Sequence, residues 1–325
     1  MHSGLIMSSR VTVSRNFSDF VFPIGMSVAD SKSVVDRVAQ VLNVIGWDRL
    51  IHFSEMTEQM KLDYLKKWGI DHDAMNTIIE RAVIESPDGE IAVIVNEIDH
   101  IRIVAKHDGM ALFKTYDEIL NVVKTIEAQW PLAYDADLGY ISSELDKIGT
   151  GLSASVMLHL PSMSEDQVLS YKNEYVVIRS IIQGYDAPFY RVFNAVTLGL
   201  SEFELLTQLQ SSVVELIRDE YLSRQHLIEA NRIGVEDRVF RSFGIAQYAK
   251  IVQFEELLTV LSTMRLGVEL EMFVEEYGDR IDYLLETIIA EQSMGFASKS
   301  KDNLRQIRFA HMLKSLFQGE VTASV

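Results

Sequence analysis

The run IAVIVNEIDHIRIV, residues 91–104, begins as an apolar stretch and ends in a crowd of polar chemistry. Asn96, Glu97, Asp99, His100 and Arg102 bring an amide, two carboxylates, an imidazole and a guanidinium to the end of one buried strand. Carboxylates and imidazole move protons, and an arginine fork matches carboxylate or phosphate oxygens. One apolar residue, Ile98, sits among them. The run therefore reads either as a working site or as one whose central group is missing. Elsewhere the chemistry is thinner. The eight histidines show no metal-ligand spacing, so no metal site is expected. No cysteine is present, which excludes disulfides, thiolate metal sites and a cysteine nucleophile. No glycine-rich phosphate loop occurs, and Gly149-Thr150-Gly151 is too short to count as one.

Positioning such groups takes a sheet. The stretches RAVIES and EIAVIVN flank Pro87-Asp88-Gly89, a turn sequence, and read as a hairpin. HIRIVAK, SASVMLHLP, EYVVIRSII and YRVFNAVTLG read as further strands. Helical periodicity marks Asp30 to Val44, Met56 to Trp68, Asp71 to Ala82, Thr115 to Trp130 and Glu202 to Asn231. Short turns between strands imply an antiparallel sheet flanked by helices, an α+β fold. Beyond Ile233 the pattern is helical only, over Val235 to Lys250, Phe254 to Arg265, Val268 to Tyr277 and Arg280 to Glu291. The expected division is 1–228 for the sheet domain and 229–325 for an all-helical C-terminal domain.

The 325 residues carry a net charge of −17, which disfavours nucleic acid as a partner. No apolar run is long enough to span a membrane, and the start lacks the pattern of a signal peptide. A cytoplasmic protein is expected. Charge is segregated in the helical part. Ten acids lie between Glu255 and Glu291, and five bases follow between Ser298 and Lys314. The basic stretch reads either as a solvated helix face or as an anion site.

Four ordered stretches, SSRVTVSRNF, VNEIDHIRI, LGYISSELDKIGTGLSASVMLHLP and NAVTLGLSEFE, resemble the motifs of the ATP:guanidino phosphotransferases. SVMLHLP, EDRVFRSFGIAQYAK and MRLGVEL make the chain most similar to the bacterial protein-arginine kinases. The resemblance covers nearly the whole chain. It implies the guanidino-kinase catalytic fold, Mg-ATP as cofactor if the protein is active, and transfer of the ATP γ-phosphoryl to protein arginine. It also implies a homodimer, with activator or protease-system proteins as further partners.

Phosphoryl transfer asks the protein for positioning and charge. By resemblance, the phosphate clamp falls on Ser8, Ser9, Arg10, Arg102 and Arg179, while two family arginines are replaced by Thr12 and Ser153. Each lost charge-assisted contact costs about 1.5–3 kcal/mol. The family's guanidinium-facing glutamate, which follows Glu97, is Ile98. Two carboxylates are candidates to replace it. Asp186 lies in the loop that carries the family's other carboxylate, and Glu144 stands at the family's reactive cysteine. The family's phosphoarginine motif falls on Lys301, Asp302 and Arg305, where lysine keeps the charge but not the fork. Two functions stand. One is an impaired homologue kept as a phosphoarginine- or partner-binding regulator. The other is an active protein-arginine kinase using Glu97 with Asp186 or Glu144.

Overall fold

In β1 (Ile6–Arg15), valines at 11 and 13 alternate with Arg10, Thr12 and Ser14. Period-two alternation gives a strand one apolar face and one polar face. The sequence reading did not mark this strand, yet it is central to the sheet. The computed structural model describes residues 3–70, 78–182, 184–293 and 303–317. The other strands are β2 (Arg49–His52), β3 (Ala82–Glu85), β4 (Ile91–Val95), β5 (Ile101–Asp108), β6 (Tyr134–Asp135), β7 (Gly139–Tyr140), β8 (Leu152–His159), β9 (Val176–Ser180) and β10 (Phe189–Asn194). The helices are α1 (Val28–Val44), α2 (Glu58–Trp68), α3 (Leu112–Glu127), α4 (Glu165–Leu169), α5 (Glu202–Tyr248), α6 (Phe254–Glu269), α7 (Glu276–Ser293) and α8 (Asn303–Ser315).

Among the described residues, eight strands form one antiparallel sheet in the order β2-β3-β4-β5-β1-β8-β10-β9. One face is apolar. Val11, Val13, Ile101, Ile103, Ala154, Val156, Ile178 and Val192 pack there under residues of α1, α3 and α5. The other face is mixed. Val83, Ala92, Ile94 and Val104 meet α2 and Ala290 of α7 on one side. Met157 and Phe189 meet the C-terminal helices on the other. Between these two apolar patches lies a polar strip.

Several boundaries differ from expectation. Residues 71–77 of the expected helix from Asp71 lie outside the described residues, and Ala82 begins β3 instead of ending a helix. The break expected at Asn231 is present: α5 is two helical pieces meeting at a kink there, where φ is −157° and ψ is 66°, outside the helical region. There the Asn231 side chain accepts from Gly234 N at 3.0 Å, a local bond that competes with the helix ladder. Helix α6 continues through Gly267, where an added Cβ would lie 2.6 Å from both Val239 and Phe273. The glycine is a packing contact and not a stop.

Candidate functional site

The Asn96–His100 connection joins β4 to β5. Asn96 takes φ of 60°, a conformation asparagine tolerates well, and its amide donates to Ser31 O and Glu80 O, both at 2.9 Å. Asp99 accepts from Asn16 Nδ2 at 2.6 Å, Ser143 N at 2.8 Å and Ser142 Oγ at 2.7 Å. Phe17 N donates to His100 Nδ1 at 3.1 Å, so the proton sits on Nε2 and is donated to Val21 O at 3.0 Å. Burial among Phe17, Phe20 and Phe22 holds the His100 pKa below its ordinary value. Glu97 is locked onto Arg102, with Nε–Oε2 at 2.6 Å and Nη2–Oε1 at 3.0 Å. Asn96, Glu97, Asp99 and His100 are buried, and Ile98 alone is half-buried. The retained polar residues of this run are therefore committed to holding the turn.

Two of the expected clamp arginines share one unexpected task. Helix α2 starts with Thr57 capping Met60 N and ends at Gly69, whose φ is 63°. Its last carbonyls lack partners within the helix. Arg10 Nη2 reaches Lys66 O and Lys67 O at 3.2 Å. Arg102 reaches Trp68 O and Gly69 O at 3.3 Å. Two cations at a helix C-terminus also oppose the negative end of its dipole. Thr12 and Ser153, the two replaced arginine positions, face each other across β1 and β8. Both neutral positions thus sit at one point of the polar strip.

The remaining expected residues scatter. Alternation along β1 puts Ser8 on the polar strip with Arg10 and turns Ser9 to the opposite face. There Ser9 Oγ donates to Gly109 O at 2.6 Å and accepts from Ala111 N at 3.1 Å. Arg179 shares the face of Arg10 but is exposed on the edge strand β9, with its guanidinium 4.9 Å from the Phe193 ring. Asp186 is exposed in the β9–β10 connection. The register sets that connection at the opposite end of the strands from Ile98, roughly 20 Å away at ~3.3 Å per residue. Glu144 lies at Ile98's end, because Ser142 and Ser143 bond Asp99, and it pairs with Lys147. On α8, Arg305 lies over the Phe309 ring at 5.5 Å, while Lys301 and Asp302 lie outside the described residues.

Beside Arg10 the structure adds residues that sequence reading missed. A cavity of about 370 Å³ is lined by Ser8, Arg10, Lys106, Ser155, Arg191 and Glu286, among others. Lys106 and Arg191 follow from strand alternation, since Lys106 shares a face with Arg102 and Arg191 sits between the inward-facing Tyr190 and Val192. Nothing local to the sequence could have pointed to Glu286 on α7, which pairs with Lys106. Toward the phosphates of Mg-ATP the strip offers Arg10 and Arg102 beside two neutral positions, Thr12 and Ser153. Arg102 is held by Glu97 and two carbonyls, Arg10 gives its Nη2 to two carbonyls, and the Thr12–Ser153 point carries no charge.

Comparison with known proteins follows the two halves of the chain. Residues 32–223 match the family described as ATP:guanido phosphotransferase, C-terminal catalytic domain, and residues 232–319 match the protein-arginine kinase McsB C-terminal domain. A protein-arginine kinase of Clostridium tetani is 29% identical over 98% of this chain and 97% of its own length. One of Clostridium kluyveri is 31% identical over 87% of this chain and 85% of its own. Among solved structures, the duplicated taurocyamine kinase of Schistosoma mansoni superposes with a TM-score of 0.60 at 19% identity. That match covers 77% of this chain and 36% of the duplicated one. Lombricine kinase gives 0.57 at 19% identity, over 70% and 69% of the two chains. These structures share the fold.

Proposed function

The chain belongs to the ATP:guanido phosphotransferase family and is a homologue of the bacterial protein-arginine kinases, and from that premise we propose that it has lost phosphoryl transfer and acts as a regulatory protein. Its ligands in this reading are protein arginine or phosphoarginine side chains. The observation that carries it is Ile98. It occupies the only half-buried position between Asn96 and His100, while the neighbouring carboxylates are consumed by Arg102, Asn16, Ser142 and Ser143. Isoleucine can neither orient a guanidinium nor accept its proton. The committed arginines and the neutral Thr12–Ser153 pair support the same reading. Arg305, with Lys301 and Asp302, is the proposed phosphoarginine contact.

A second reading keeps the enzyme. Glu144 is held at Ile98's end of the sheet through Ser142 and Ser143, so of the two replacement carboxylates it is the better placed. Mass spectrometry after incubation with Mg-ATP and an arginine-rich protein separates the two. The impaired homologue forms no phosphoarginine above a no-enzyme control. Phosphoarginine that is abolished by Glu144→Gln would establish the kinase instead.

A further inference from the structure

A second cleft, of about 1230 Å³, opens where the start of β1 and the end of β5 meet α5, α6 and α7. Its lining holds seven carboxylates against three cations, and all three cations are spent within it. Lys106 pairs with Glu286, Arg224 with Glu269 at 2.6 Å, and Arg265 with Asp282 at 2.7 Å. Asp108, Glu271, Glu275 and Asp279 are exposed and have no ion pair among the described residues. Apart from this charge, the cleft has a thinly packed wall. Residues 225–234 of α5 include no buried residue, although the helix is buried on the sheet at Leu216 and in the helical core at Ala246. From that stretch Gln225 and Ile228 line the cleft at the spacing of a packing face, with Tyr221 one turn before them. Val268, Leu270 and Phe273 add further apolar surface.

We propose that this cleft docks a lysine-rich, partly apolar peptide segment of a partner protein. Its volume exceeds the roughly 300–1,000 Å³ of small-molecule pockets, so an extended segment fills it better than a metabolite does. The four exposed carboxylates stand on different elements, after β5, after α6 and at the start of α7. Scattered single charges suit the flexible point charge of lysine, whereas the planar fork of arginine needs a bidentate partner. Lysine stems can lie along Ile228, Val268 and Phe273 while their ammonium groups reach the rim. An ammonium already rests on one ring of the lining, since Lys66 Nζ lies 4.1 Å from the Tyr283 ring. Complementary charge at such a rim steers the encounter, and the apolar wall holds what arrives.

The cleft lies at the end of β5 away from Ile98, and Arg305 is not in its lining, so the inference does not depend on the function proposed above. The test is fluorescence anisotropy of the full chain with a short labelled peptide of alternating lysine and leucine. That peptide holds no arginine and cannot report on arginine or phosphoarginine binding. Glu275→Gln with Asp279→Asn is expected to weaken its binding about tenfold. Asp117→Asn with Glu174→Gln removes the same charge from exposed positions outside the cleft and is expected to change affinity by about twofold at most. Ile228→Asp adds a negative charge and is nevertheless expected to weaken binding about threefold, because apolar contact is lost. The rim positions are exposed, so their variant keeps the test available if Ile228→Asp does not fold. Absence of peptide binding overturns the proposal. So does an equal loss in the two double variants, which means general attraction to an acidic chain. Tighter binding by Ile228→Asp, or displacement of the peptide by spermine at equal charge, means that charge alone is read and overturns it too.

Discussion

At the scale of single residues, two neutral positions of the polar strip form a pair. Thr12 and Ser153 are cross-strand partners, with side chains about 4.5–5.5 Å apart at Cβ for directly opposed residues. Two arginines there would repel each other unless an anion lay between them. Restoring both as Thr12→Arg with Ser153→Arg is therefore expected to destabilise the ligand-free protein by about 0.5–1 kcal/mol. Mg-ATP should then raise the melting temperature of the double variant more than that of the wild type. Thermal melts with and without Mg-ATP check this, and equal shifts in the two proteins would show that this point of the strip does not meet phosphate. The same logic explains why Ile98 was visible from sequence while the role of Arg102 was not. A missing carboxylate is a property of one position, whereas Arg102's bonds to Trp68 O and Gly69 O join residues more than thirty positions apart.

At the scale of elements, α2 and the docking of the helical domain carry the testable energetics. Gly69 ends α2 at φ of 63°, and a Cβ there would come within 2.4 Å of Arg10 Nη1. Gly69→Ala is expected to cost about 1–2 kcal/mol from the left-handed backbone alone, measured by urea unfolding, and to expel Arg10 from the helix end. The docking contact is His159, fully buried at the end of β8 and stacked on Phe189. Neutral His159 donates from Nδ1 to Glu269 at 3.2 Å and accepts at Nε2 from Ser262 Oγ at 2.9 Å. Burial pushes its pKa down to about 4, with Arg265 and Arg224 adding to the shift and Glu269 opposing it. Glu269 itself is pushed up by burial, but His159, Arg224 and Arg265 outweigh that and keep it below its ordinary value. The unfolded chain binds a proton at its histidine near pH 6.5 and the folded one only near pH 4. Stability is therefore full above about pH 6.5. It should fall by on the order of 1 kcal/mol per pH unit between 6.5 and 4. Denaturant midpoints across that window should be flatter for His159→Gln, and an identical slope would remove His159 as the cause.

At the scale of the whole molecule, the two regions share both a helix and a core. Helix α5 runs from the sheet, where it packs on β10, through its kink at Asn231 into contact with α6 and α8. Met7, Met157, Ile182 and Phe189 of the sheet region are buried with Leu257, Leu261, Ile281 and Leu313 of the C-terminal helices. A chain cut after residue 228 would expose this apolar surface together with the cations of the cavity. It is expected to aggregate, or to bind a hydrophobic dye strongly, where the full chain does neither. Light scattering checks this, and a monodisperse, cooperatively melting 1–228 fragment would make the sheet region an independent domain. No helix among the described residues is long and apolar enough to cross a membrane.

By itself the sequence determined the kind of fold and the family. The continuous apolar runs of β3 and β4, the partial alternation of β5 and β8 and the helical tail are all local patterns. Ile98 between two carboxylates is likewise local. Only the tertiary structure decided what the surviving polar residues do. The polar face of strand β1 meets the end of α2 through Arg10 and lines a cavity with residues of α2 and α7, and those partners are distant in sequence. Ser8 and Ser9 separate onto opposite faces because side chains alternate along a strand. Asp186 and Glu144 go to opposite ends of the sheet because antiparallel register fixes which turn lies where. The pairing of Glu286 with Lys106 spans 180 positions. Such contacts depend on how helices pack over a finished sheet, and no local pattern of residues encodes them.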